Sequence, residues 1–152
     1  MNFIMPGVAG IAGVLVMTVV MRRASFLHLP ETQMIRAIGA IITKDADRAL
    51  WPGFVVHLIA GTLIAYLYMM LLSTAPLPSD GNIGAITLVV ACTLMGLVHG
   101  VVVTLFLVIS VAQYHPIEQF RRLNPGDMAA HVIGHLAYGA IVGLMFGQLG
   151  VL

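Results

Sequence analysis

The sequence predicts an all-α integral membrane protein, and two observations point to this fold class. Four apolar segments each reach or approach the roughly 20 residues with which a helix crosses a bilayer core: residues 4–21, 52–72, 83–112 and 127–150. In addition, 60% of the residues are hydrophobic, 9% are charged and the mean hydropathy is +1.02, which leaves too little polar surface for a water-soluble domain. Residues 1–152 are therefore predicted to form a single domain of four transmembrane helices.

The positions of the basic residues predict the orientation of these spans. All seven Lys and Arg lie in the first or the third connection, whereas the second connection carries only Asp80 and both chain ends lack Lys and Arg. Because cytoplasmic loops of membrane proteins are enriched in Lys and Arg, both chain ends are predicted to lie outside. The layout resembles that of many small bacterial inner-membrane proteins, and we expect a multi-pass protein of that membrane.

The first span is predicted to remain in the mature protein. A secretory signal peptide carries basic residues before its apolar run, but here Arg22 and Arg23 follow the run at residues 4–21. The third connection ends in the turn signal Asn124-Pro125-Gly126-Asp127. The Asp127 side chain is predicted to cap the start of the fourth span by accepting a backbone N–H there.

One segment, residues 31–50, has a helical pattern without being a span. Its large apolar residues recur at spacings of three and four, which is the pattern of an amphipathic helix: Met34, Ile35, Ile38, Ile41 and Ile42. We predict a short helix lying along the cytoplasmic interface of the membrane. A water-exposed helix docked onto the protein is the alternative.

The two halves of the chain show a weak internal repeat at an offset of 78 residues. His57-Leu58-Ile59-Ala60-Gly61 aligns with His135-Leu136-Ala137-Tyr138-Gly139, and Ala65 aligns with Gly143. This pattern predicts a tandem duplication of a helix pair. Because each half holds two spans, the halves would be related by a two-fold axis along the membrane normal.

Small residues recur at helical spacing on three of the spans. They are predicted to let helices pack closely, both within the bundle and against other subunits: Gly61 and Ala65, Gly96 and Gly100, and Gly139, Gly143 and Gly147. His57 and His135 fall on the same helix faces as these residues because they lie four positions before Gly61 and Gly139.

Four histidines fall inside or close to the predicted spans: His57, His99, His131 and His135. An intramembrane histidine needs hydrogen-bond partners and is a candidate functional residue. His57 and His135 would suit bis-histidine ligation of haem b. His131 and His135, with His99, Cys92 or Met95, would suit a transition metal ion.

Two further interpretations of the histidines stay open. A single imidazole would also bind a chlorophyll magnesium or a quinone carbonyl. The alternative to all of these ligands is purely structural. In that case each histidine donates a hydrogen bond to a backbone carbonyl across a helix interface, and no cofactor is bound.

The sequence lacks the motifs that mark several functional classes. There is no nucleotide-binding fingerprint, no nucleic-acid motif and no catalytic constellation, so we expect neither an enzyme nor a nucleic-acid partner. Apart from Asp127 at the very start of the fourth, the spans also lack the acidic or basic residues of carriers. We expect an accessory subunit of a larger membrane complex, respiratory or photosynthetic, in contact with lipid and other subunits. The alternative is a small haem- or metal-binding electron-transfer protein.

Overall fold

The computed structural model describes residues 4–150 except residues 31, 79, 80 and 123. Its described residues contain helices and no strands: α1 (Ile4–Arg22), α2 (Met34–Thr43), α3 (Leu50–Ser73), α4 (Gly81–Phe106) and α5 (Pro125–Leu149). Short 3₁₀ turns lie at Ala24–Leu27 and Glu118–Phe120. Four helices, α1, α3, α4 and α5, are long and apolar enough to cross a membrane. The prediction of an all-helical chain with four long apolar helices is confirmed.

The four long helices pack in the order α3, α1, α5, α4. The α1 backbone lies close to both α3 and α5, and α5 lies close to α4, whereas α3 and α4 do not form a close pair in the described part of the chain. The two outer helices are consequently the less buried ones. Half of the most apolar stretch of α5 is buried, against 22% for α3 and 28% for α4.

Glycines at two seams allow this close packing. At the α4–α5 seam, a Cβ on Gly96 would overlap the His135 carbonyl oxygen, and one on Gly139 would overlap the Cys92 carbonyl. At the α1–α3 seam, Gly10 lies against the Thr62 backbone. The small residues highlighted by the sequence all lie at these two seams: Gly61, Ala65, Gly96, Gly100, Gly139, Gly143 and Gly147. They pack against neighbouring helices of the same chain, so a partner subunit would have to use another surface.

Helix α2 is shorter than the predicted segment 31–50. It ends at Thr43 because Lys44 adopts a left-handed backbone conformation, φ 54°, and donates its N–H to the Ala40 carbonyl. The short polar side chains that follow bind the backbone instead of letting the helix continue. The Asp45 carboxylate accepts the N–H of Asp47 at 2.8 Å, for example. Residue 31, where the prediction began, lies outside the described residues.

Helix α2 packs directly against the start of α3. A Cβ on Gly39 would overlap the Ala49 carbonyl, and one on Gly53 would overlap the Ile35 carbonyl. This reciprocal glycine contact buries only one side of the predicted apolar stripe. Ile41 and Ile42 remain exposed.

Two helix ends also differ from their predictions. The residue that caps α5 is Asn124 rather than Asp127, because its side chain accepts the Asp127 N–H at 2.9 Å. The Asp127 carboxylate completes the capping box by accepting the Asn124 N–H. The predicted span 83–112 is α-helical only to Phe106 and continues as a π-helical segment, Leu107–Ala112.

Candidate functional site: a buried histidine cavity

Four histidines from three helices meet inside the bundle. His57 comes from α3, His99 from α4, and His131 and His135 from α5. The ring centroids of His99 and His135 lie 4.7 Å apart, and those of His131 and His135 lie 4.4 Å apart. Together with Tyr138 the four rings line a cavity of about 120 Å³, called the histidine cavity below. It lies between α3 and α4, where the helix backbones do not meet.

The seam glycines place these rings next to one another. His131, His135 and Gly139 are spaced four residues apart and therefore share one face of α5. On α4, a Cβ at Gly100 would lie only 2.6 Å from the His135 Cβ. The absence of a side chain at Gly100 thus lets the His135 ring sit against α4, where it meets His99 edge-on.

Two hydrogen bonds fix the α5 side of the cavity. The His135 Nδ1–H donates to the His131 carbonyl oxygen at 2.9 Å. In the neutral imidazole this bond leaves Nε2 of His135 as an acceptor. The Tyr138 hydroxyl donates to the Gly61 carbonyl oxygen at 2.5 Å and ties α5 to α3.

The remaining imidazoles carry buried nitrogens without a hydrogen-bond partner among the described residues. These atoms are Nε2 of His57, Nδ1 of His99, and both Nδ1 and Nε2 of His131. In folded proteins most buried polar atoms are paired, and an unpaired one calls for an explanation such as an ion or a water molecule. The purely structural interpretation, in which each histidine donates to a backbone carbonyl across a helix interface, does not describe His135, whose partner is a carbonyl one turn earlier in the same helix. It does not describe His131 either, because neither of its ring nitrogens has a partner among the described residues.

Sequence reasoning did not single out Tyr68, although its side chain is buried beside this site. The Tyr68 ring lies 6.3 Å from His99 and 6.0 Å from Tyr138, edge-on to both, and its hydroxyl has no hydrogen-bond partner in the described part of the chain. The helical face that carries His57, Gly61 and Ala65 continues to Tyr68. This helical spacing is the sequence feature from which Tyr68 could have been predicted as part of the site.

The cavity is too small for a porphyrin. Pockets for drug-sized ligands enclose about 300–1,000 Å³, whereas the histidine cavity encloses about 120 Å³. The Tyr138–Gly61 hydrogen bond also joins the two helices that carry His57 and His135, one turn away from these residues. The helices could not separate to admit a haem between these histidines without breaking that bond.

A metal site is not preformed either. No group of three or more His, Cys, Asp or Glu side chains is arranged to hold a metal ion within the described ranges. Cys92 is buried at the α4–α5 seam, where its backbone meets Gly139. What the arrangement offers is a small, mostly apolar cavity bordered by four imidazole rings, with a volume that would hold a few water molecules or one ion.

No protein-family model, no curated protein and no solved structure matches this chain.

Proposed function

We propose that this chain is an integral membrane protein that crosses the bilayer four times and serves as an accessory subunit of a larger membrane assembly. The exposed surface of the bundle supports insertion into a bilayer. Large apolar side chains are exposed on all four long helices, for example Leu15, Leu63, Val98 and Leu144. Apolar surface of this extent is rare on water-soluble monomers, but it suits contact with lipid chains.

The proposed orientation places the basic end of the bundle in the cytoplasm and both chain ends outside, in a bacterial inner membrane. The ends of α1 and α4 and the starts of α3 and α5 adjoin the connections that carry all seven Lys and Arg. Labelling of intact cells would test this. In a C92A background, A75C should react with a membrane-impermeant thiol reagent, and K44C should react only after lysis. The reverse pattern would contradict the orientation.

The accessory role is supported by the exposed apolar faces of α3 and α4. Helices α3 and α4 are the least buried of the four long helices, with 22% and 28% of their most apolar stretches buried, and they expose large apolar side chains such as Leu63 and Val98. Membrane helices associate through such free faces when their shapes match. The chain also offers no catalytic constellation of its own, so we assign it a role in assembly.

Purification at native abundance tests this role. We expect the tagged chain to migrate on native gels in mild detergent at a mass well above its own 16.2 kDa, with partner subunits in fixed stoichiometry. L63W, on the exposed face of α3, should weaken this assembly. L15W, on the exposed face of α1, is the matched control and should not. A homogeneous monomer would refute the accessory role.

We also propose that the two helix pairs arose by duplication. His57 and His135, which the 78-residue offset aligns, line the same cavity, and Gly61 and Gly139 both lie at helix seams. An exact two-fold relation would pair α4 with α3 as closely as α1 pairs with α5, and the packing is not symmetric in this way. The two halves would therefore have diverged in how they pack.

A second candidate function is supported by the unpaired ring nitrogens. We propose that the histidine cavity binds one transition metal ion through two or three imidazoles. Among the described residues, neither ring nitrogen of His131 has a hydrogen-bond partner. Small ring rotations would be needed, because no three ligands are aligned as they stand. Titration of the purified protein with Co²⁺ should produce visible absorption bands that H131A removes. No binding by the wild-type protein, or binding that H131A leaves intact, would refute this site.

A further inference from the structure

A second cavity lies at the basic end of the bundle, away from the histidines. The end of α1, the 3₁₀ turn that follows it and the start of α2 enclose about 750 Å³. Three arginines line this space together with several polar side chains: Arg22, Arg23, Arg36, Ser25, Thr32 and Gln33. We call it the arginine cavity. Its size falls in the range of pockets that bind small ligands.

The arginines of this cavity form no ion pair with any acidic side chain that the structure describes. Within the described residues the ion pair found is Arg48 with Asp45, at 3.5 Å, and it does not involve them. The Arg23 guanidinium lies 5.9 Å from the centre of the Phe26 ring. Guanidinium groups bind phosphate oxygens through paired hydrogen bonds. Three of them around one space, with no carboxylate among the described lining residues, suit a phosphate-bearing anion.

The arginine cavity continues into an apolar groove. A neighbouring cavity of about 280 Å³ shares Arg22 and Leu50 with it and is bounded on the far side by Trp51 and Phe54. The rings of Trp51 and Phe54 meet edge-on at 6.2 Å, and Trp51 is 73% exposed. Tryptophan favours the interface between a membrane and water. A cationic chamber that opens into an aromatic groove matches a ligand with an anionic head and an apolar tail.

We propose that these joined cavities bind an anionic phospholipid. Its phosphate lies among Arg22, Arg23 and Arg36, and one acyl chain runs along the groove beside Trp51 and Phe54. Basic pockets at the cytoplasmic side of membrane helices are suited to such head groups. The inference rests on the membrane insertion proposed above, and it is independent of the accessory role and of the histidine cavity.

The chain contains one tryptophan, Trp51, so tryptophan fluorescence reports on the groove directly. The protein is reconstituted into phosphatidylcholine vesicles that contain a small fraction of lipid with brominated acyl chains, which quench a nearby tryptophan. At equal mole fraction, brominated phosphatidylglycerol should quench Trp51 more than brominated phosphatidylcholine. We expect the apparent affinity of the groove for phosphatidylglycerol to exceed that for phosphatidylcholine by at least about fivefold. This is the factor that a single arginine near an anionic lipid surface supplies.

A matched pair of triple variants separates a specific site from general surface charge. R22Q/R23Q/R36Q removes the three cavity arginines and should abolish the preference for phosphatidylglycerol. K44Q/R48Q/R122Q removes three charges at the same end of the bundle but outside the arginine cavity, and it should retain the preference. If the first triple variant does not fold, R36Q alone, on α2, should lower the preference. Equal behaviour of the two triple variants, or an unchanged preference in R36Q, would overturn the proposal.

Two further outcomes have distinct meanings. If inorganic phosphate alone shifts the Trp51 emission in pure phosphatidylcholine vesicles and abolishes the lipid preference, the site binds a soluble anion and the lipid proposal is overturned. If neither brominated lipid quenches Trp51 because the protein does not enter the vesicles, the proposed membrane insertion fails instead. Preferential quenching that resists inorganic phosphate supports the phospholipid site.

Discussion

Two equally buried histidines in this protein have opposite surroundings. His115, 1% exposed, donates its Nε2–H to the Ala37 carbonyl at 2.9 Å and accepts the Ile117 N–H on Nδ1 at 3.1 Å. His131, 2% exposed, has no hydrogen-bond partner on either nitrogen among the described residues. The first ties the third connection to α2 and has a structural role. The second fits a ligand site better, so the hydrogen bonds of a buried histidine are more informative than its burial.

The free-energy cost of leaving a buried polar group unpaired supports this distinction between a structural histidine and a ligand-binding one. A buried polar group without a partner costs about 1–3 kcal/mol. Within the described part of the chain, four ring nitrogens of His57, His99 and His131 have no hydrogen-bond partner. Net folding stabilities are only about 5–15 kcal/mol. A sequence selected for stability alone would fill this space with apolar side chains. The unpaired nitrogens are therefore the main argument that the cavity binds something.

The largest expected effect is at the paired histidine. H115L removes both hydrogen bonds and leaves the buried Ala37 carbonyl without its side-chain donor, so the free energy of unfolding should fall by about 2–4 kcal/mol. Reversible unfolding in detergent micelles would measure the change. Y114A, at the exposed neighbouring residue, is the control and should change stability by at most about 0.5 kcal/mol. If H115L left the free energy of unfolding unchanged, the contact between His115 and α2 would contribute little to stability.

The same substitution at the unpaired histidine should act in the opposite direction. H131L replaces two unpaired nitrogens by apolar atoms of similar volume, which is neutral or stabilising when no partner is lost. We expect the free energy of unfolding to stay the same or to rise by about 1–2 kcal/mol, while any Co²⁺ binding is lost. A destabilisation as large as that of H115L would show that His131 has partners in the folded protein after all.

Some of these features follow from the sequence and others do not. Four apolar stretches of bilayer length give a long, contiguous signal, and the four long helices were predicted from it. The helix order was not predictable, because the small residues mark which face of a helix packs closely but not which helix packs against it. The role of His115 depends on Ala37, 78 residues away in the chain. Helical spacing put His57 and Gly61 on one face, but it could not show which ring nitrogens would lack a partner.

The smallest expected changes in the free energy of unfolding come from the two tyrosines of the site. One has a hydrogen-bonded hydroxyl and the other does not, so they offer the same comparison as the two histidines. The Tyr138 hydroxyl donates to the Gly61 carbonyl, whereas the Tyr68 hydroxyl has no partner among the described residues. Y138F removes one hydrogen bond between α5 and α3 and should lower the free energy of unfolding by about 0.5–1.5 kcal/mol. Y68F removes an unpaired group and should be neutral or slightly stabilising.

Because both substitutions delete a single oxygen from a buried ring, the two variants differ mainly in whether that oxygen was paired. Unfolding of both variants in the same detergent, with and without Co²⁺, would measure the difference. If Y68F is the more destabilising of the two, the Tyr68 hydroxyl has a partner in the folded protein. A destabilisation seen only when the ion is present would place that partner inside the histidine cavity, because the Tyr68 ring lies beside His99.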